Sequence, residues 1–163
     1  MRSGDQHDLP AMLVLLDAAV AWLVARGAKG QWGGEPFSAN FAMVDYLSRI
    51  VTLGELRVAQ DSAGRAVGTY VLGARPDYAP AIAEHERYIE AMVTDRRLAG
   101  NGIGGLLIED AILRARASGA TKLRADCWSK SARLVRWYEQ QGFERGDIVL
   151  VGDWPAQLLS LSI

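Results

Sequence analysis

Cysteine occurs once and histidine twice in 163 residues, too few for a disulfide framework or for a metal cage of the usual Cys and His ligands. No metal is therefore expected. The lone Cys127 lies in the apolar run from Lys122 to Trp128 and reads as a small buried hydrophobe rather than a nucleophile. An excess of charge is also missing: 18 basic residues face 19 acidic ones, for a net charge of -1. That balance creates no basic field to drive counterion release, so a nucleic-acid partner is not expected and a small molecule fits better. No uninterrupted apolar run reaches the ~18 residues of a membrane span, and Met1 to Asp8 lacks the apolar stretch of a secretion signal. The expectation is a cytoplasmic protein with no membrane partner. Internal repeats and low-complexity tracts are absent too. The remaining composition, half hydrophobic and 23% charged, at this length suits one domain over residues 1–163.

Pro10 suits a first helical turn, and Leu13, Leu16, Val20 and Leu23 follow at helical spacing until Gly27. A glycine-rich loop to Ser38 leads to a second helix near 39–51, with Phe41, Val44 and Leu47 expected inward. Residues 55–60 and 66–73 are β-prone and joined by Asp61-Ser-Ala-Gly64-Arg65, which is hairpin chemistry. After a loop of about a dozen residues comes a strand from Arg87 to Thr94. A helical stripe at Leu107, Ile108, Ala111, Ile112 and Ala115 ends at Gly119. The strand Lys122 to Trp128, a helix over 131–141 and strands around 147–151 and 159–163 complete the order. This alternation implies an α/β (α+β) fold, a central mixed sheet flanked by helices, with 87–128 as a β-α-β crossover.

Inside that crossover, Gly100, Gly102, Gly104 and Gly105 fall between a strand and a helix. Bare amides at a helix N-terminus, favoured by the helix dipole, suit a phosphate. Read literally, Gly100-x-Gly102-x-x-Gly105 is also the dinucleotide fingerprint, with Asp126 placed where a ribose-binding acid would be. Against that reading, Asp95-Arg-Arg-Leu-Ala99 separates the glycines from their strand, and the unit comes late and only once.

Met92-Val93-Thr-Asp-Arg-Arg before Gly102-Ile103-Gly104, followed by Ser131-Ala-Arg-Leu-Val-Arg-Trp-Tyr138-Glu-Gln-Gln-Gly142-Phe143, resembles the paired motifs of the GNAT acyltransferases. The likeness covers roughly residues 55–151. It implies a mostly antiparallel GNAT-like sheet whose first strand is short or missing here, since Met1 to Asp8 has little β character. It also implies acetyl-CoA as co-substrate and a primary amine, on a small molecule or peptide, as acceptor. The pantetheine arm would pair with Met92, Val93 and Thr94 like an added strand. The pyrophosphate would lie on the amides of Gly100, Asn101, Gly102, Ile103, Gly104 and Gly105, with Arg97 nearby. Ala99 stands where the family has Arg or Gln, so backbone rather than a signature side chain is expected to hold the phosphates. Ser131 replaces the usual Asn and can still donate a hydroxyl hydrogen bond.

The same resemblance suggests Glu90 as the base that strips the acceptor ammonium, although a solvent-facing strand carboxylate is the plain alternative. The Val93 N–H would serve the oxyanion, and the Tyr138 hydroxyl the departing thiolate. Leu134 and Trp137 can fill the core face of that helix in its place. Trp32 and Glu35 in the first loop, Tyr78 in the long acidic loop and Trp128 at a strand end are candidates to wall an acceptor pocket; Trp128 could equally be core. A sheet edge would permit a homodimer, as in many relatives. The competing functions are a nicotinamide-dependent oxidoreductase built on the same glycines and a non-catalytic coenzyme A sensor.

Overall fold

In the computed structural model, which describes residues 1–163, the elements follow the order read from the sequence. Strand β1 is Arg2–Ser3, helix α1 Leu9–Val24, α2 Phe41–Leu53, β2 Glu55–Gln60, β3 Ala66–Gly73 and β4 Glu86–Thr94. Then come α3 Ile103–Ala117, β5 Lys122–Trp128, α4 Ala132–Gln140, β6 Glu144–Val151 and β7 Trp154–Ser162. The seven strands form one sheet in the order β1-β2-β3-β4-β5-β7-β6. The β4–β5 pair is parallel, and the β1–β2, β5–β7 and β6–β7 pairs are antiparallel. The missing first strand survives as a two-residue β1 against Arg57 and Val58.

Contacts group the chain into two compact units, Met1–Val71 with Ala91–Leu107, and Leu72–Glu90 with Ile108–Ile163. In the first, Met12, Leu16 and Val20 of α1 and Leu47, Ile50 and Val51 of α2 pack with Leu56, Val58, Val71 and Val93. Asn40 caps α2 by accepting from the Met43 amide, a contact worth about 1 kcal/mol. One expectation needs correction here. Phe41 is 86% exposed, because the inward stripe of α2 runs through Leu47, Ile50 and Val51 and leaves the first turn outside. Residues Gln6–Val24 have a mean hydropathy of 1.6, enough to pass for a membrane span by composition, although no unbroken apolar run of that length exists. Its residues Met12, Leu15, Leu16, Ala19, Val20 and Leu23 are buried in the protein, so one face of the helix lies on the core.

In the second unit, β7 begins at Trp154, earlier than the alternating tail suggests, and pairs with β5 along all seven residues from Lys122 to Trp128. Its partner β6 returns through a turn at Gly152 and Asp153. On α4 the buried residues are Val135 and Tyr138, while Leu134 and Trp137 are half-buried. A nine-residue helix is too short for apolar spacing alone to set its inward face.

Candidate active site

The glycine loop belongs to the first unit. A short 3-10 turn at Arg96–Leu98 separates it from β4, the lag that disfavours a dinucleotide fold. Gly100 has φ +91° and Gly102 +76°, left-handed values that cost a residue with a side chain about 1–2 kcal/mol. The α3 ladder starts with the Leu106 amide on the Gly102 carbonyl at 3.0 Å. The amides of Gly102, Ile103, Gly104 and Gly105 thus have no acceptor in the chain. These are the orphan donors of a helix N-terminus, a ready anion site. Behind them Ile103 and Leu107 pack against β3: a methyl at Gly68 would lie 2.9 Å from Ile103 and 3.2 Å from Leu107.

The two loop arginines have work within the fold. Arg97 donates to both oxygens of buried Asp95, Nε at 3.0 Å and Nη2 at 2.7 Å. That pairing, ahead of the other contacts, holds the Asp95 carboxyl below its ordinary range. Arg96 stacks over Trp22 of α1 at 4.1 Å rather than standing free in solvent. Val93 is buried in the first core, while Met92 and Thr94 are half-buried beside it. Ala91 has φ +50°, so a residue with a side chain breaks the extended run of β4 one position after Glu90. Trp32 meets Phe37 edge to face at 5.6 Å and packs on the first core, and Glu35 is exposed.

The second unit holds the titratable side chains. Glu90 is half-buried and reaches toward β3, where a methyl at Gly73 would lie 2.9 Å from its Oε1. Arg87 ties the same strands by donating to the carbonyls of Leu72 at 2.7 Å and Gly73 at 3.2 Å. Tyr138 is 5% exposed and lies edge to face against Trp137 at 4.9 Å and Phe143 at 5.5 Å. Its hydroxyl makes no hydrogen bond to another residue. Burial, then the nearby Cys127 and Asp126, push its ionisation well above the ordinary value, so the phenol stays neutral and keeps its proton. Burial also pushes the Cys127 thiol up to about 12, which removes it as a nucleophile at neutral pH. Ser131 caps α4 by accepting from the Leu134 amide at 3.3 Å.

Tyr78, expected at a pocket wall, is half-buried and donates its hydroxyl to Asp126 Oδ2 at 2.7 Å. Tyr88 donates to the same oxygen at 2.8 Å. Trp128 is half-buried at the end of β5, opposite Ala156. The Tyr78–Asp126–Tyr88 cluster is not expected from the sequence, in which Asp126 stands only as a candidate ribose acid. The available signal was polar Arg124 and Asp126 at alternate positions of a strand whose other face is Leu123, Ala125 and Cys127.

The free amides at the start of α3 and the buried Tyr138 before Gly142-Phe143 are the parts that the resemblance to the GNAT acyltransferases implies. The model of the acetyltransferase (GNAT) family matches residues 31–143. The chain belongs to that family and is an acetyltransferase. A GNAT-family acetyltransferase from Listeria monocytogenes superposes with a TM-score of 0.73 at 18% identity, covering 99% of this chain and 93% of that one. Ribosomal-protein-alanine N-acetyltransferase from Brucella melitensis gives 0.68 at 20% identity, over 99% and 98%. A GNAT acetyltransferase from Elizabethkingia anophelis, solved with acetyl-CoA bound, gives 0.60 at 22% identity, over 73% and 82%. These likenesses establish the fold. No curated protein sequence matches the chain.

Proposed function

We propose that the protein transfers an acetyl group from acetyl-CoA to a primary amine by direct attack in a ternary complex. The observation that carries this reading is the run of free amides from Gly102 to Gly105, opened by two left-handed glycines at the start of α3. Two phosphates fit such a cradle without any signature side chain. That agrees with Ala99 at the position where the family has Arg or Gln, and with an Arg97 already engaged by Asp95. The solved relative with acetyl-CoA bound supports the same ligand.

Bound acetyl-CoA would supply an acyl group activated as a thioester. The chain's own residues then divide the remaining tasks. The backbone around Met92, Val93 and Thr94 would pair with the pantetheine arm, and the Val93 N–H would donate to the thioester oxygen as charge grows there. Glu90 would take the proton from the attacking ammonium, directly or through water. The Tyr138 hydroxyl, neutral and without a partner in the chain, would give its proton to the departing thiolate. The nicotinamide alternative is disfavoured by the 3-10 turn at Arg96–Leu98, which holds the glycines away from the end of β4.

Calorimetric titration with acetyl-CoA and with NADPH tests the reading, followed by free-thiol release across a panel of primary amines. The expected result is acetyl-CoA binding and amine-dependent thiol release. Binding of the nicotinamide alone would sink it.

A further inference from the structure

β5 carries three charged residues on one face, Lys122, Arg124 and Asp126, and the last two are treated differently. Arg124 is compensated: Nη1 donates to Glu86 at 2.7 Å and to the Pro80 carbonyl at 2.9 Å. Asp126 has no cation. Both hydrogen bonds that it receives, from Tyr78 and Tyr88, fall on Oδ2. No donor in the chain reaches Oδ1, and that atom is not sealed from solvent. Two hydroxyls on one oxygen fix the orientation of a carboxylate without neutralising it. Withdrawing an unpaired charge from water is costly, and such costs are kept where function needs them.

The position of this carboxylate is equally specific. The β4–β5 ladder pairs Glu86 with Lys122, Arg87 with Leu123 and Tyr88 with Arg124, and ends there. Continued by two residues, the register would set Glu90 opposite Asp126. Asp126 is therefore two residues beyond the last paired position, on the face shared by Tyr88 and Arg124. Its charge is also felt at the Tyr138 hydroxyl.

We propose that Asp126, braced by Tyr78 and Tyr88, is an anionic subsite whose free Oδ1 receives the ammonium of the acceptor, so that the acceptor class is a cationic primary amine. The inference rests on the acetyltransferase reading and deepens it. The ammonium supplies the counter-charge that the fold withholds, and Oδ1 takes one of its N–H donors. Another proton remains for the base. Burial already raises the proton affinity of Asp126, and an arriving cation opposes that shift.

The test separates the two claims. Acetyl-CoA is titrated calorimetrically into wild type and Asp126→Asn, with equal affinity expected; failure of the wild type to bind it would remove the acetyltransferase reading, whatever the amines do. Benzylamine, an ammonium at neutral pH, is then titrated into coenzyme A-saturated protein while the carbon resonance of the Asp126 carboxyl is followed by NMR. The signal should move and saturate, and Asp126→Asn should weaken benzylamine at least about tenfold. Uncharged benzyl alcohol should move nothing. Tyr78→Phe keeps the charge, loses one brace and should weaken benzylamine by roughly two- to fivefold. An Asp126 carbon that stays still, equal benzylamine affinity in wild type and Asp126→Asn, or benzyl alcohol binding as well as the amine overturns the proposal. If Asp126→Asn does not fold, the wild-type carboxyl shift and Tyr78→Phe decide it.

Discussion

The first unit offers a ligand its backbone, whereas the second offers side chains. Around Gly102 the donors are amides, and the arginines beside them are occupied by Asp95 and Trp22. In the second unit the chemistry rests on a phenol without a partner, a carboxylate without a cation and a thiol silenced by burial. A backbone cradle tolerates change in side-chain identity but not in shape. A cluster of buried titratable groups has the opposite sensitivity.

The largest expected effect is on the side-chain half. Tyr138→Phe should lower kcat by about a hundredfold, the usual scale for loss of a positioned acid, while calorimetry shows acetyl-CoA affinity within about twofold. An unchanged kcat would take Tyr138 out of the mechanism. Next, Gly102→Ala should weaken acetyl-CoA by about tenfold, because a side chain at φ +76° costs on the order of 1–2 kcal/mol. Asn101→Ala beside it should change the same dissociation constant by less than about twofold. Comparable losses from the two would break the contrast between shape and identity.

A smaller effect concerns pH. Burial holds the Asp126 carboxyl above its ordinary value, so the folded protein keeps that proton to higher pH than the unfolded chain does. Between the unfolded value and the raised folded one, the native state binds more protons and stability falls as pH rises; above that window the full cost is present. Asp126→Asn removes the cost. Its Tm advantage over wild type should therefore be about 2–4 °C greater at pH about 8 than at pH about 4 in scanning calorimetry. A similarly small change is expected for Arg97→Ala, with acetyl-CoA affinity altered by less than about threefold, since its guanidinium serves Asp95.

Much of the fold was legible because its signals are local. β2, β3 and β5 begin and end where the β-prone runs do, and the hairpin at Asp61–Arg65 and the stop at Gly119 follow from turn chemistry. The start of β7 was not legible, since Trp154-Pro155 resembles a loop until Leu150 and Val151 are seen pairing with it. Phe41 and the inward face of α4 were misjudged for one reason: spacing sets a helical stripe but not where the core lies. In the site, the glycine loop and Tyr138 were readable from contiguous motifs. Tyr78, Tyr88 and Asp126 come from a loop and two strands, so only folding brings them together. The kink at Ala91 leaves no trace either, because alanine does not advertise a left-handed backbone as glycine does.

The contact between Gly68 and the first turn of α3 has a consequence for how this sequence can drift. Asn101 and the exposed residues near it can be exchanged through many generations with little penalty. Gly68, in a strand far upstream, cannot gain even a methyl without displacing the Ile103 side chain on the first turn of α3. Tolerance to substitution in the loop is thus granted by intolerance at a distant strand position, and a comparison of related sequences should find the narrower variation at Gly68.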